Sequence, residues 1–206
     1  MCKEQQLTSL GFTEGQVPVG THMCLIFTDE EERRDSLLKF LLSGIKLNER
    51  TACFTSKISE QEVRDFFKEN SISYDERKGA NALSLHDTGN VYFEGGTFDP
   101  ERLLCNLTEF YNESKQLHFC ASRIIGEMDP KVETIPGGDR LLEYESRVSI
   151  MLRDHPITVV CQYDANLFDG ATVMDVLKVH PQMIINGSIV QNPFYIEPEE
   201  YLSSIV

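Results

Sequence analysis

The run from His22 to Glu32 constrains the fold more than any other part of this chain. Its first half, Met23-Cys24-Leu25-Ile26-Phe27-Thr28, is almost unbroken apolar residue, as in a strand buried on both faces. Its second half opens a helix, with Thr28 or Asp29 as cap and Glu31 or Glu32 three places on. A strand running straight into a helix is where a nucleotide-binding α/β protein carries its phosphate loop. That loop needs G-x-x-x-x-G-K followed by Ser or Thr, because the glycines expose backbone N–H groups and the lysine neutralises phosphate. Between Phe27 and Ser36 there is neither glycine nor lysine, and Glu30, Glu31 and Glu32 fill the first turn instead. A helix N-terminus attracts anions, but three carboxylates already occupy this one and would repel a triphosphate. The expectation is a nucleotide-binding architecture without the matching chemistry.

The same alternation continues. Thr51-Ala52-Cys53-Phe54-Thr55, Asn81 to His86, Leu117 to Ile125 and Ile157 to Tyr163 read as further strands, and Val91-Tyr92-Phe93 as a hairpin extension of the third. Leu37, Leu38, Leu41, Leu42 and Ile45 recur at helical spacing in a helix expected to end near Gly44. Ser59 with Glu62 makes a capping box, and Asp99-Pro100 is a cap followed by proline at the first helical position. Helices are also expected over roughly 139–153 and 169–179, with a short closing one from Pro198 to Ser204. Asn186-Gly187 between two apolar runs signals a hairpin. The reading is a single α/β domain over 1–206, with a mainly parallel sheet covered by helices on both faces and a C-terminal β-hairpin.

Lys+Arg 19 against Asp+Glu 33 gives a net charge of −14. That excess argues against direct nucleic-acid binding, which depends on neutralising phosphate, and against an anionic membrane surface. No run is apolar enough for a membrane span or a signal peptide. The six cysteines are scattered without a C-x-x-C pair, and most fall in apolar runs where a thiol behaves as a small hydrophobe. A reducing, cytoplasmic setting is expected.

Several segments carry a family pattern: Gly20-x-His22-x-Cys24-x-x-Phe27, then Phe40-Leu41-x-x-Gly44-x-x-x-x-Glu49, then Arg123-Ile124-x-Gly126-Glu127-Met128. Cys161-Gln162-Tyr163-Asp164, His180-Pro181 and Asn192-Pro193-Phe194-Tyr195 complete it. The chain resembles the MEDS domain, a sensory domain of regulators in methanogens and methylotrophs, including the dichloromethane-responsive repressor. The resemblance implies a core similar to RecA and KaiC without a phosphate loop, sensing small hydrocarbon derivatives rather than hydrolysing ATP. Members often append a helix-turn-helix or a sensor kinase; here the sensory domain is expected to take up the whole sequence.

In open α/β sheets, ligands sit beyond the carboxyl ends of the strands. That rule selects Phe27, Thr28 and Asp29, then Glu127 and Met128, then Tyr163 and Asp164 as ligand-binding candidates. Arg123, four residues before Glu127 in the same strand run, is expected to pair with it, either in a ligand pocket or as a structural ion pair. Asp164 is also a natural helix cap, and Phe27, Met128 and Tyr163 are also natural core. The loop 129–138, with Pro130, Pro136, Gly137 and Gly138, is placed to act as a lid or equally to be an inert surface loop.

No cofactor or metal is expected. The alternative is a metal set of His22, Cys24, Cys161 and His180, whose spacing is not that of a compact zinc motif. No nucleophile elbow, H-E-x-x-H or Ser-His-Asp order is present. The expected function is small-molecule sensing or signal transduction without NTPase activity. One competing class is an enzyme, either a diverged ATPase or a transferase using Arg123, Glu127 and Asp164. Another is a pure interaction domain. A homodimer, with the terminal hairpin edge covered by a second subunit or by the closing helix, and a regulator or kinase partner are the expected company.

Overall fold

The computed structural model describes residues 6–205, so Cys2 and the polar segment 1–5 lie outside the described residues. Seven strands form one sheet: β3 (His22–Phe27), β4 (Glu49–Phe54), β5 (Leu83–His86), β6 (Ala121–Glu127), β7 (Ile157–Asp164), β8 (Gln182–Ile185) and β9 (Ser188–Gln191). Their order is β5-β4-β6-β7-β3-β8-β9, and only β8–β9 is antiparallel. A separate antiparallel pair, β1 (Leu7–Ser9) and β2 (Gln16–Pro18), precedes the sheet.

Side chains alternate across the sheet, and each face has its own core. Met23, Leu25, Ile125 and Val160 pack with Leu37, Phe40 and Leu41 of α1 (Glu30–Lys46) and with Val63 and Phe67 of α2 (Glu60–Glu69). Ile124, Val159 and Tyr163 pack with Leu103 and Leu107 of α5 (Pro100–Gln116), with Tyr144 and Val148 of α6 (Leu141–Met151), and with Val176 of α7 (Gly170–Val179). The short helices α3 (Tyr74–Gly79) and α4 (Thr88–Tyr92) flank β5, and α8 (Pro198–Ser204) closes the chain.

Two expectations change. Val91-Tyr92-Phe93 is not strand: Asp87 accepts the N–H of Asn90 at 3.2 Å and starts α4, which ends at Tyr92. α1 ends at Lys46, within two residues of the expected end near Gly44. A Cβ at Gly44 would lie 2.7 Å from Arg123 Cδ and 2.9 Å from Nε, so the glycine lets a buried arginine pass beneath the helix. The closing helix does not shield the hairpin edge; α8 lies against α6, with Arg153 paired to Glu199, and leaves β9 as an edge strand. The hairpin turn itself is as expected, with left-handed φ of 48° at Asn186 and 72° at Gly187. No helix among the described residues is long and apolar enough to cross a membrane.

Candidate functional site

Only Thr28 and Asp29 separate β3 from α1. Asp29 turns its carboxylate onto the helix end, accepting the N–H groups of Glu31 at 2.8 Å and Glu32 at 2.9 Å. Those donors would face an anion bound here, and they are already engaged. Thr28 contributes its carbonyl to the Asn166 amide at 2.9 Å.

Beside this junction is a cluster of charges. Lys57, from the loop after β4, places Nζ 2.5 Å from Glu127 Oε1, 3.7 Å from Asp164 Oδ2 and 3.8 Å from Glu30 Oε2. It also lies 5.7 Å from the centre of the Phe27 ring. Thr55 donates to Glu127 Oε2 at 3.0 Å. Arg33, fully buried on α1, donates through Nε to Glu30 at 2.8 Å. Its Nη1 stands 3.7 Å from Glu127 and has no hydrogen-bond partner among the described residues. Partial burial pulls the Lys57 ammonium down, but the hydrogen bond and charge of Glu127, with Glu30 and Asp164, outweigh it and hold the pKa above the ordinary lysine value. A recess of about 180 Å³ opens here between Ser56, Lys57, Thr88, Glu127, Asp129 and Leu167.

Of the residues selected from the sequence, Phe27, Glu127 and Asp164 therefore meet, and they meet around Lys57. Arg123 does not join them. In a strand, residues four apart are separated by about 13 Å, so the expected Arg123–Glu127 pair does not form. Arg123 pairs instead with Glu49, Nε to Oε2 at 2.5 Å, and donates to Thr8 Oγ1 at 2.7 Å and to the carbonyls of Ser9 and Phe40. Its guanidinium stacks on Phe40 at 4.8 Å. Arg123, Glu127 and Asp164 are thus not assembled as one set. Met128 and Tyr163 are buried in the core of the other face. Loop 129–138 is packed down rather than poised: Phe98 donates to the Pro136 carbonyl at 2.9 Å, Val132 is buried, and Thr172 donates to Glu133 at 2.9 Å.

A larger cleft, about 420 Å³, runs between α5 and the outer strands. Phe54, Val91, Leu103, Leu107, Phe110 and Ile124 supply apolar walls, while Arg50, His86, Asn90 and Asn106 supply polar groups. No residue selected from the sequence lines it. Helix α4 gives Thr88 to the smaller recess and Asn90 and Val91 to this cleft.

A third centre lies under the α6 face. His22 at the start of β3, Cys161 on β7 and His180 capping α7 converge, three of the four residues in the alternative metal set. Cys24 does not join them; its thiol faces the Gln182 carbonyl at 3.9 Å. Glu145 of α6 stands in its place. Its signal was present in the sequence as an acidic residue on the apolar stripe Leu141, Tyr144, Val148 and Leu152, with all five now buried. Glu145 Oε2 is 3.3 Å from His22 Nε2 and 3.7 Å from His180 Nε2, and Tyr163 donates to Oε1 at 2.6 Å. Burial, followed by the neighbouring His22, pushes His180 down to about 4. Burial and the Glu145 carboxylate raise the Cys161 thiol well above its ordinary value.

The mainly parallel sheet and its helical layers make an α/β fold similar to that of KaiC-like proteins. Among solved structures, the flagellar accessory protein FlaH from Methanocaldococcus jannaschii is similar at TM-score 0.61 and 11% identity, over 90% of this chain and 84% of that one. A KaiC-like protein from Pyrococcus horikoshii is similar at TM-score 0.60 and 12% identity, over 87% and 79%. No curated protein matches the sequence. Residues 21–181 match the family model MEDS, the methanogen/methylotroph DcmR sensory domain, and the chain belongs to that family. Its class is accordingly sensory and regulatory.

Proposed function

We propose that the chain senses a small hydrocarbon derivative and does not bind or hydrolyse nucleotides. The observation that carries this reading is the two-residue β3–α1 junction. It has no room for a loop to curl around a phosphate, its helix end is capped by Asp29, and Glu30 to Glu32 follow. The α5 cleft supports the ligand class: its volume and apolar walls with a few polar groups suit a small organic molecule. The separation of Arg123 from Glu127 and Asp164 favours binding over transfer chemistry.

Thermal-shift measurements on the full chain test this reading, using one- and two-carbon alcohols, amines and halides against ATP with Mg²⁺. A rise in melting temperature with a member of the organic panel is expected, with none for the nucleotide. Asn106→Trp, at an exposed position on the cleft wall, should abolish the response, and Lys57→Met should keep it. Saturable Mg²⁺-dependent ATP binding would sink the reading. A response lost only in Lys57→Met would move the ligand to the smaller recess. A second reading, protein interaction, draws on the exposed Ile185, Val190 and Phe194 at and beside the free β9 edge. Light scattering that shows a dimer dissociated by Val190→Lys would favour it.

A further inference from the structure

The geometry points to a binding site for one divalent transition-metal ion of zinc-like preference, held by His22 Nε2, Glu145 Oε2, Cys161 Sγ and His180 Nε2; we propose it as a property of this chain beyond its sensory class. The four donor atoms come from β3, α6, β7 and the end of α7, and all lie within 4.8 Å of one another. Donor spacing is the first argument. Zinc bonds of about 2.0–2.1 Å to nitrogen or oxygen and about 2.3 Å to sulfur place tetrahedral ligands about 3.3 Å apart for two light atoms and about 3.6 Å for light atom and sulfur. His22 to Glu145 is 3.3 Å, His22 to Cys161 is 3.5 Å, Cys161 to Glu145 is 3.7 Å and His180 to Glu145 is 3.7 Å. These are four of the six edges of such a tetrahedron; the other two, from His180 to His22 and to Cys161, are no longer than 4.8 Å.

Proton placement is the second. His180 Nδ1 lies 2.8 Å from the Val176 carbonyl, which can only accept, so Nδ1 carries the proton and Nε2 presents a lone pair. That lone pair has no hydrogen-bond partner among the described residues and faces a carboxylate oxygen. Glu145 Oε2 has the Cys161 thiol and His22 beside it, but the His180 lone pair is left without a donor, and a cation between the two acceptors would satisfy it, since an unpartnered buried polar atom is unfavourable.

The surrounding bonds are the third. Ligating histidines usually hold their second nitrogen in a hydrogen bond and ligating carboxylates are themselves bonded. Here His22 Nδ1 meets Ser149 Oγ at 2.9 Å, His180 Nδ1 meets Val176, and Tyr163 holds the second oxygen of Glu145. A purely structural polar cluster would not need both imidazoles aimed by Nε2 at one point. Binding would form the Sγ–metal bond as the Cys161 thiol proton leaves to solvent.

The full chain, treated with EDTA and desalted, is titrated with Zn²⁺ and separately with Co²⁺ under mild reduction. One equivalent is expected to bind, raising the melting temperature, and Co²⁺ should show a thiolate-to-metal charge-transfer band with the intense visible bands of tetrahedral coordination. Cys161→Ser should lose the charge-transfer band, and His180→Gln should weaken Zn²⁺ binding by roughly tenfold or more. Cys105→Ser, on the surface of α5, should change neither. Should His180→Gln fail to fold, Glu145→Gln and Cys161→Ser carry the test. No saturation at one equivalent, a charge-transfer band that survives Cys161→Ser, or unchanged affinity in the folded ligand variants would overturn the site.

Discussion

Arg123 and Arg33 are both fully buried on the α1 side of one sheet, at opposite ends of it, and the molecule treats them differently. At the amino end, Arg123 has Glu49, Thr8 and two carbonyls as acceptors, an aromatic ring against its face and a glycine cut into α1 to admit its stem. At the carboxyl end, Arg33 shares Glu30 and Glu127 with Lys57 and keeps one nitrogen unpartnered. A closed set of hydrogen bonds fixes a scaffold. An open one, beside a solvent-reached recess, leaves capacity for something else to bind. Buried charge alone therefore does not mark a site; the state of its hydrogen bonds does.

The largest effect expected from breaking this contrast is at the closed end. Glu49→Gln removes the only carboxylate paired to Arg123 among the described residues and should lower stability by about 3–5 kcal/mol, the range for an orphaned buried charge. Arg123→Met with Glu49→Gln should recover much of that, because no buried charge remains. Denaturant melts of the three proteins decide it: a double variant no better than the single would mean that shape, not charge, holds this end together. Next comes Gly44→Ala, whose methyl would press on Arg123 and Thr51 inside a filled space. A loss of about 1–3 kcal/mol is expected, as for other overpacked cores. No loss would mean that Arg123 has slack, contrary to the contrast drawn above.

The open end should be more tolerant. Glu127→Gln leaves Arg33 its close pairing with Glu30 and leaves Lys57 near Asp164, so a loss of about 1–2 kcal/mol is expected. A loss as large as that of Glu49→Gln, in the same melts, would erase the distinction between the two ends.

How much of this could be read from residues alone depends on distance along the chain. Continuous apolar runs and caps such as Asp29, Ser59 and Asp99 act locally, and they place β3, β4, β6, β7 and the long helices. The pair β1–β2, three residues in each strand, is too short to show a period, as are α3 and α4. Val91-Tyr92-Phe93 has strand-like side chains, yet the Asp87 cap overrides them. The Arg123–Glu127 pairing applied a four-residue spacing that brings side chains together on helices and not on strands. Its true partner, Glu49, lies 74 residues away, and only the β4–β6 pairing brings the two near. The histidines and Cys161 were readable as soft donors, whereas Glu145 needed the question of why an acid sits on an apolar stripe.

The smallest effect expected is also the one that most sharpens the comparison. Lys57 has a side chain 36% exposed, so its clamp on Glu127 should contribute under about 1 kcal/mol after screening by solvent. Its pKa is raised on folding. A group whose pKa rises on folding binds its proton more tightly in the native state. Its contribution is complete below the ordinary value of 10.5 and fades as pH climbs through the folded value above it. The difference in melting temperature between wild type and Lys57→Met should therefore be level through neutral pH and shrink above 10.5. Guanidinium groups keep their protons over that range, so the deficit of Glu49→Gln should persist there unchanged. If the Lys57→Met difference stayed constant to the most alkaline pH, the ammonium would not be the clamp. The carboxyl end would then be held, like the amino end, by its arginine.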